Sequence, residues 1–284
     1  DFVINAKDFG IPQSRERVFI LGVRQDVGID RIELQKSSTA TVWDTIGHLP
    51  RLRSGLSKSE DSFENWLRAI ENNSKIFFAG SKHLSALTDV LADLQALNEP
   101  LTRASYQAVS NPPANTSSEL ENFLADKELG HWTQHETRGH LESDIVRYLY
   151  CALAAKELGR SPTLKDWDGN LEKMRPNHQN IEMNANGLKT NTHLDRFRVQ
   201  VAEQPSSTIT SHISKDGHYF IHPDPVQARS LTVREAARLQ TFPDDYYFCG
   251  PRTEQYIQVG NAVPPFLAFK IANSIKSALG QKLG

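Results

Sequence analysis

Cysteine is scarce in this chain, whose 284 residues include only Cys151 and Cys249. The two lie far apart and neither belongs to a CxxC pair, which argues against a disulfide framework and against a zinc site built from thiolates. Such sparse cysteine is typical of reducing compartments. The chain also lacks any apolar run close to the roughly 20 residues that span a bilayer. We therefore expect no membrane contact and a cytoplasmic location.

An excess of charge of either sign is also absent. Lys and Arg number 32 against 34 for Asp and Glu, which gives a formal net charge of −2. Any contact with nucleic acid must then come from a local basic patch, because bulk charge cannot supply it. The chain lacks an initiator methionine and begins with Asp1-Phe2-Val3-Ile4-Asn5, which has the composition of a strand. We expect from this that the chain is part of a longer protein.

Among the features that are present, the segment Gln13-Ser14-Arg15-Glu16-Arg17 is the most informative. It follows a Gly-Ile-Pro turn and leads into the apolar run Val18–Val23, which predicts a loop entering a buried strand. Because side chains alternate between the faces of a strand, Gln13, Arg15 and Arg17 would share one face. An amide and two guanidinium groups at this spacing suit a phosphate or a base edge. A hairpin with solvated charges is the alternative that the residue types leave open.

The middle of the chain reads mainly as helix. Apolar residues at helical spacing predict amphipathic helices from about Phe63 and from about Leu84, both packed on a core. Ser118 with Glu121 three residues later forms a capping box at another helix start. The longest helix is expected over about Leu141 to Leu158.

Histidines raise the question of a metal site. The run His135-Glu136-Thr137-Arg138-Gly139-His140 resembles the HExxH zinc motif, but its second histidine comes five residues after the first. That offset turns the side chain about 140° round the helix, away from the first histidine. His131 and His135 have the right spacing but no obvious third ligand. We therefore expect no metal, and a polar surface that touches DNA instead.

The last third of the chain has strong local signals. Lys215-Asp216-Gly217, between two β-rich runs, predicts a hairpin. Thr232 and Glu235 form a capping box that opens a short helix with Arg234 and Arg238 on one face. Pro264-Pro265 predicts the start of a last amphipathic helix, which we expect to end at Gly280.

Three blocks now stand in a fixed order around a long variable region. They are Phe9–Phe19 (FGIPQSRERVF), Arg229–Pro243 (RSLTVREAARLQTFP) and Gln258–Pro265 (QVGNAVPP). Together they resemble the last three sequence motifs of the DNA (cytosine-5) methyltransferase family. Any one block could arise by chance, but all three in this order, with an insert the size of a target-recognition region, make the resemblance specific.

The resemblance implies an α/β fold in three segments. Residues 1–25 and 229–284 would form a partial Rossmann-like methyltransferase sheet, although they lie at opposite ends of the chain. Residues 26–228 would form a helix-rich α+β target-recognition region inserted between them. An incomplete sheet would leave apolar surface exposed and favour self-association through its edge.

The resemblance also implies roles for individual residues on double-stranded DNA. In this family the target cytosine is flipped out of the duplex, a cysteine thiolate attacks C6, and C5 receives a methyl group from S-adenosylmethionine. Arg17 would hydrogen-bond O2 of that cytosine, and Arg15 and Gln13 would support Arg17 or bind a neighbouring phosphate. Asn261 and Val263 would approach the methyl donor at the start of a helix.

The same resemblance suggests DNA contacts in the recognition region and an architectural role near its end. Thr208 would contact the DNA backbone, while Arg234 and Arg238 would tie the recognition region to the catalytic part. Base-reading candidates rest on residue type alone, and each is more often an ordinary surface residue. They are Arg138, Lys189, Asn191, Arg196, Arg198, His212 and Lys215.

The chain departs from the family in what it lacks. The glycine-rich cofactor loop, the Pro-Cys nucleophile motif and the Glu-Asn-Val motif are all absent. Cys151 lies in an apolar helical run and Cys249 follows Tyr247-Phe248 without a proline, so neither suits a nucleophile, which needs an exposed, electropositive setting. We expect a restriction–modification methyltransferase that needs its N-terminal half and is inactive as this chain alone. The alternative is a non-catalytic, sequence-specific DNA-binding module or subunit.

Overall fold

A computed structural model of the chain describes residues 3–28, 32–105, 107–109, 118–126, 128–174, 183–184, 187–188, 194–215 and 217–283. The helices in these ranges are α1 (Val42–Ile46), α2 (Phe63–Phe77), α3 (Leu84–Gln95), α4 (Ser118–Leu124), α5 (Glu142–Leu158), α6 (Leu171–Met174), α7 (Val233–Leu239), α8 (Arg252–Asn261) and α9 (Pro265–Leu283). The strands are β1 (Val3–Asn5), β2 (Glu16–Val18), β3 (Gly55–Leu56), β4 (Gly139–His140), β5 (Met183–Asn184) and β6 (Gly187–Leu188). Within the described ranges, none of the helices is both long and apolar enough to cross a membrane.

The strands pair two by two. β1 and β2 are antiparallel, β3 and β4 are parallel, and β5 and β6 are antiparallel. The protein is therefore mixed α/β, as predicted. The described residues contain these small sheets and no larger one, so the partial Rossmann-like sheet is not seen here.

Helix α5 is the centre of the largest core. Its residues from Ile145 to Ala155 are buried on every side, and α2 packs along it through Trp66 and Ile70. Helix α3 adds Leu87 and Leu94 to the same core. The sequence predictions for these three helices are confirmed, and Gly159 ends α5 in the left-handed conformation at φ 63°. Only a residue without a Cβ takes this conformation at little cost.

Two smaller cores bring the ends of the chain together. In one, α7 packs against α1 and α8, with Trp132 and Ile209 filling the space between them. In the other, Phe9 and Ile11 pack with Leu120 of α4 and Phe266 of α9. Residues near both termini therefore share one core, although the middle of the chain separates them in sequence.

The predicted buried strand at residues 17–23 is wrong for this structure. β2 covers Glu16–Val18 only, and Phe19 is half-buried against the core that contains Phe9 and Phe266. Ile20, Leu21 and Val23 face solvent, with Ile20 87% exposed. Among the described residues β1 is the only strand paired with β2, and the exposure of Ile20 shows that no described element packs over the residues that follow β2.

Two local predictions near turns and caps also fail. The hairpin at 215–217 is not formed by the described residues around it: Ser211–Ser214 is a 3-10 helix, and Ile221 forms isolated bridges with Val199 and Ser230. Asp216 itself lies outside the described residues. Gly280 does not end α9, which continues to Leu283. The helix start predicted at Ser118 is confirmed, since α4 begins there, and the carboxylate of Glu121 also pairs with an arginine of α7.

Candidate active site

Gln13 connects the first block to the second. Its side chain is fully buried, and its Nε2 donates to Gln240 Oε1 at 2.6 Å and to Leu239 O at 3.2 Å. Its Oε1 accepts a hydrogen bond from Ile209 N at 3.1 Å. Every polar atom of this amide therefore has a partner inside the protein, which is what a buried amide requires.

Arg15 connects the first block to the third. Its Nη1 donates to Ile209 O at 2.9 Å and its Nη2 donates to Ala262 O at 3.1 Å. The same carbonyl of Ala262 accepts a second hydrogen bond, from Gln240 Nε2 at 2.7 Å. Gln13, Arg15, Gln240, Ile209 and Ala262 thus form a closed network of hydrogen bonds, which we call the three-block network. It joins all three blocks to the segment around Ile209.

Burial has an electrostatic cost for Arg15 that the network offsets. Desolvation first, and the charge of Arg17 second, lower the pKa of Arg15 to about 10. The guanidinium group therefore stays charged at neutral pH, and hydrogen bonds from a charged donor are the stronger kind. With two carbonyls already bound, Arg15 fits the supporting role rather than the phosphate-binding role.

The segment Ser206–Ile209 lies alongside the first block. Ser206 N donates to Pro12 O at 2.9 Å, and Ser14 N donates to Ser206 O at 2.8 Å. Thr208 Oγ1 then donates to Ser14 O at 2.7 Å. The hydroxyl hydrogen of Thr208 is therefore already used inside the protein.

Arg17 differs from Gln13 and Arg15 in its surroundings. Its side chain is exposed, and Nη1 donates to the neighbouring Glu16 O at 2.6 Å. The prediction that three side chains form one open set of donors is therefore wrong. Gln13 and Arg15 turn into the network, and Arg17 alone is open to solvent.

Arg17 lies at a cleft between the first and third blocks. The cleft has a volume of about 180 Å³. It is lined by Ala6, Arg15, Arg17, Val18, Phe19, Asn261, Ala262, Val263, Pro264 and Leu267. Asn261 and Val263 are exposed at this cleft. Asn261 is the last residue of α8, which was missed in the sequence, so the turn lies between two helices rather than at the start of one.

Gly260 lets α8 approach the Thr208 segment very closely. A Cβ on Gly260 would overlap the backbone of Thr210 and Ser211. Helix α8 packs along the 3-10 helix Ser211–Ser214 at this point. The glycine in the third block is therefore required by a close backbone contact, and it holds the Asn261–Val263 turn against the segment that carries Thr208.

The arginines of α7 are completely buried. Arg238 donates to Asp244 at 2.5 Å, to Glu121 at 2.6 Å and to Thr45 O at 2.8 Å. Arg234 is bound mainly by backbone carbonyls, Thr133 O at 3.1 Å among them. These contacts join α7 to α1 and α4, which is what an architectural role requires.

A second buried ion pair was missed in the sequence. Arg229 holds both carboxylate oxygens of Glu235, with N–O distances of 2.6 and 2.7 Å, and neither side chain is accessible to solvent. Burial alone would raise the pKa of Glu235, but the Arg229 guanidinium holds it well below its usual range. Glu235 also caps α7 through Thr232 N at 2.7 Å. The capping box was visible in the sequence, and the arginine partner was not.

The HExxH-like run is structural. His135 is buried, with Nε2 2.8 Å from Pro50 O and Nδ1 3.1 Å from Thr232 Oγ1. Because Pro50 O can only accept, Nε2 carries the hydrogen and Nδ1 accepts from the threonine hydroxyl. Burial lowers the pKa of His135 to about 4, so the ring is neutral at neutral pH. Both nitrogens are occupied by protein, and among the described residues no three His, Cys, Asp or Glu side chains group as metal ligands.

The DNA-contact candidates do not all lie at one site. Arg198 and Thr208 line one pocket of about 400 Å³, together with Ser207, Thr210, His212, Tyr219 and Phe220. Lys215 is exposed and Arg196 is half-buried, and neither lines this pocket. Arg138 is engaged elsewhere, since it donates to Ile213 O at 2.7 Å and stacks on the Tyr256 ring. Lys189 and Asn191 lie outside the described residues.

Neither cysteine lines the cleft. Cys151 is buried in α5, and burial raises the pKa of its thiol far above the ordinary value. Cys249 is exposed in the connection between α7 and α8. A buried, protonated thiol is a poor nucleophile, which applies to Cys151, and Cys249 is not among the residues that line the cleft.

Comparison with known proteins identifies the class. The sequence profile of the family described as C-5 cytosine-specific DNA methylase matches residues 2–277, nearly the whole chain. The chain therefore belongs to the C-5 cytosine-specific DNA methylase family. This family uses S-adenosylmethionine as its methyl donor.

Individual relatives agree with this assignment. The chain is 32% identical to the type II methyltransferase M.Bpa9945I of Bacillus paralicheniformis over 98% of its own length and 50% of that protein. It is 27% identical to a type II methyltransferase assigned in Oceanobacillus iheyensis, M.OihORF3336P, over 96% of its own length and 60% of that protein. The chain thus spans about half the length of the curated relatives it matches. A crystal structure of a prophage-encoded DNA modification methyltransferase from E. coli aligns with a TM-score of 0.46 at 17% identity, over 98% of this chain and 59% of that one.

Proposed function

We propose that this chain forms the target-recognition and C-terminal part of a DNA (cytosine-5) methyltransferase of a restriction–modification system. The enzyme would transfer a methyl group from S-adenosylmethionine to C5 of a flipped cytosine. The observation that carries this proposal is the three-block network, because it gathers blocks from both ends of the chain around one cleft. A protein that only bound DNA would have no use for a preserved cofactor-side turn at that cleft.

Arg17 is the proposed catalytic residue of this chain. Its exposed guanidinium lies at the cleft, where it would donate to O2 of the flipped cytosine. A donor at O2 stabilises the negative charge that develops on the ring as the thiolate attacks. Gln13 and Arg15 would position Arg17 by fixing the backbone on its N-terminal side.

The residues present fit one edge of the methyl-donor site. Asn261 and Val263 are exposed at the cleft and would contact the donor, which supplies the methyl group when bound. The cleft holds about 180 Å³, whereas a pocket that encloses a drug-sized ligand holds roughly 300 to 1,000 Å³. The remaining walls of the site would therefore come from other residues.

We propose that those walls, and the nucleophilic cysteine, belong to the N-terminal half of the enzyme. The exposed apolar side chains in and after the two-stranded sheet of β1 and β2 support the proposal, because grouped exposed apolar side chains often mark interaction sites. This apolar surface is formed by Val3, Val18, Ile20, Leu21 and Val23. The N-terminal half would cover this surface and would also supply the further strands of the larger Rossmann-like sheet. Self-association through the same surface would occur when that half is missing.

The segment division expected from the sequence remains part of the proposal. Residues 1–25 and 229–284 would belong to the catalytic part and residues 26–228 to target recognition. The enzyme would act in the cytoplasm, on double-stranded nucleoid DNA.

A complementation assay tests the proposal. The purified chain would be mixed with an N-terminal methyltransferase segment that carries the Pro-Cys and Glu-Asn-Val motifs, and transfer of a radiolabelled methyl group to duplex DNA would be measured. We expect no transfer by the chain alone and transfer by the mixture. Robust transfer by the chain alone would refute the division of the active site. Sequence-specific DNA binding by the chain, with no gain on mixing, would favour the non-catalytic module.

A further inference from the structure

The pocket lined by Arg198, Thr210 and Tyr219 has the chemistry of an anion site. Its lining residues, Arg198, Ser207, Thr208, Thr210, His212, Tyr219 and Phe220, include no carboxylate and no side-chain amide. A phosphodiester presents acceptors only and carries a full negative charge, so it is bound by donors and positive charge. A pocket with a guanidinium group and hydroxyl groups therefore suits a phosphate.

Two contacts hold Arg198 at this pocket, and a phosphate could replace one of them. Its guanidinium carbon lies 5.8 Å from the centre of the Tyr219 ring, within cation–π range. Its Nη2 pairs with Asp195, and the two side chains are 37% and 48% exposed. Such solvent-exposed pairs contribute little free energy. A phosphate with a full negative charge can therefore displace Asp195 while Tyr219 keeps the arginine in place.

Thr208, which the family resemblance assigns to the DNA backbone, is not the donor here. Its hydroxyl hydrogen is used on Ser14 O at 2.7 Å. The hydroxyl of Ser207 donates to Gln200 Oε1 at 3.1 Å. Thr210 precedes the 3-10 helix Ser211–Ser214, and its side chain makes no capping hydrogen bond there. Of the three serine and threonine hydroxyls that line the pocket, that of Thr210 is thus the one that remains able to donate into it.

The three-block network connects this pocket to the cleft that contains Arg17. Its wall, Ser207–Thr210, contains Ile209, whose backbone is bound on both sides by Gln13 and Arg15 of the three-block network. A phosphate bound here would be held at a fixed position relative to Arg17, which follows Arg15 by two residues.

We propose that Arg198 and Thr210, and not Thr208, bind one phosphate of the DNA strand, with Tyr219 positioning the arginine and Asp195 occupying it until DNA arrives. This inference rests on the proposed function, because it assigns one contact within the DNA substrate of the same site.

The test is the salt dependence of binding between the 284-residue chain and a fluorescent duplex of mixed sequence. Each phosphate contact adds about 0.9 to the slope of log affinity against log salt. We expect Arg198→Gln to reduce the slope by about 1 and the affinity about tenfold at low salt. Thr210→Val should weaken binding about threefold, and Thr208→Val should change it less than about twofold. Asp195→Asn should strengthen binding about two- to fivefold, because it removes the competitor.

Arg160→Gln is the matched control. Arg160 is an exposed arginine paired with Asp166 and lies outside the pocket, so its loss removes the same charge without the proposed contact. We expect it to leave the slope unchanged. Thermal melting of each variant would show whether a loss of DNA affinity is caused by unfolding. Unfolding cannot explain the result expected for Asp195→Asn, because that variant should bind DNA more tightly.

The outcomes separate the two proposals. If the unaltered chain binds duplex DNA and Arg198→Gln retains the full slope, or Thr208→Val reduces it, the assignment of the phosphate site is wrong while the proposed function stands. If the unaltered chain does not bind duplex DNA even at about 50 mM salt, the recognition part of the proposed function fails, and this inference fails with it.

Discussion

Gln13 and Gln240 lie 227 positions apart in sequence, and their side-chain amides are joined by a 2.6 Å hydrogen bond in the interior. Around this bond, Arg15 and Ala262 close a network that includes residues from all three family blocks. The blocks were recognised as separate signals in the sequence. In the structure they are one unit, because each supplies a hydrogen-bond partner that the others need.

Substitution of the two arginines of the first block should affect stability and catalysis differently. Arg15→Ala removes two hydrogen bonds from a buried charged donor, each typically contributing about 1.5 to 3 kcal/mol, so we expect urea denaturation to show a loss of about 2 to 4 kcal/mol. Arg17→Ala removes an exposed side chain and should change stability by less than about 0.5 kcal/mol.

In the enzyme completed with its N-terminal half, Arg17→Ala should have the large effect on activity although its effect on stability is small. Arg17→Ala should lower the rate of methyl transfer by about 100-fold or more while the protein stays folded, since it removes a donor to developing charge. An Arg17→Ala variant that retained normal methyl transfer would remove Arg17 from the active site.

Gly260→Ala should destabilise the protein although alanine is the better helix former. Alanine gains about 1 kcal/mol in a helix interior, but its Cβ would overlap the backbone of Thr210 and Ser211. Because backbone cannot rotate away as a side chain can, we expect a net loss of about 1 to 3 kcal/mol.

Gly280→Ala provides the matched control for this prediction. Gly280 lies in α9, and a Cβ there would meet nothing within 4 Å. The same substitution should be neutral or stabilise by up to about 1 kcal/mol. If both glycines tolerate alanine equally in thermal melts, the close contact of α8 with Ser211 is not a constraint.

The ion pair between Arg229 and Glu235 should be costly to break on one side. Glu235→Gln leaves the guanidinium of Arg229 buried without its counter-charge, and such changes cost about 3 to 5 kcal/mol. The exposed pair between Arg252 and Glu136 offers a comparison, since Glu136→Gln should cost less than about 1 kcal/mol. A double variant, Arg229→Met with Glu235→Leu, should recover much of the loss because no unpaired charge remains.

Stability should fall on mild acidification. Burial lowers the pKa of His135 and of His222 from the ordinary 6.5 to about 4. Between these values the unfolded chain binds more protons than the folded one, so the free energy of unfolding decreases as the pH falls. The loss due to these two histidines should begin near pH 6.5 and be complete below about 4. Asp244 acts in the opposite direction, since burial raises its pKa to about 6. It is one group against four, because burial also lowers the pKa of His48 to about 3 and that of His140 well below its usual value.

Urea midpoints measured from neutral pH down to about 4.5 check this dependence. His135→Asn should flatten the curve, whereas His131→Asn should leave it unchanged, because His131 is exposed. A curve for His135→Asn as steep as that of the unaltered chain would show that His135 titrates normally.

The sequence by itself determined the features that depend on neighbouring residues. Apolar spacing located α2 and α5, the Thr232 capping box opened α7, and the three blocks gave the family. These signals are local, because helical spacing and end capping involve residues three or four positions apart. The sequence could not foresee that Arg15 is buried and Arg17 exposed, although the two have the same side chain and nearly the same neighbours.

Only the tertiary structure decided that difference. The partners of Arg15 are Ile209 and Ala262, which lie 194 and 247 positions away. The glycine of the third block became explicable only when Thr210 was found against it. The predicted strand after Arg17 failed for the same physical reason: whether an apolar run is buried depends on what packs over it, and its own residues cannot supply that cover.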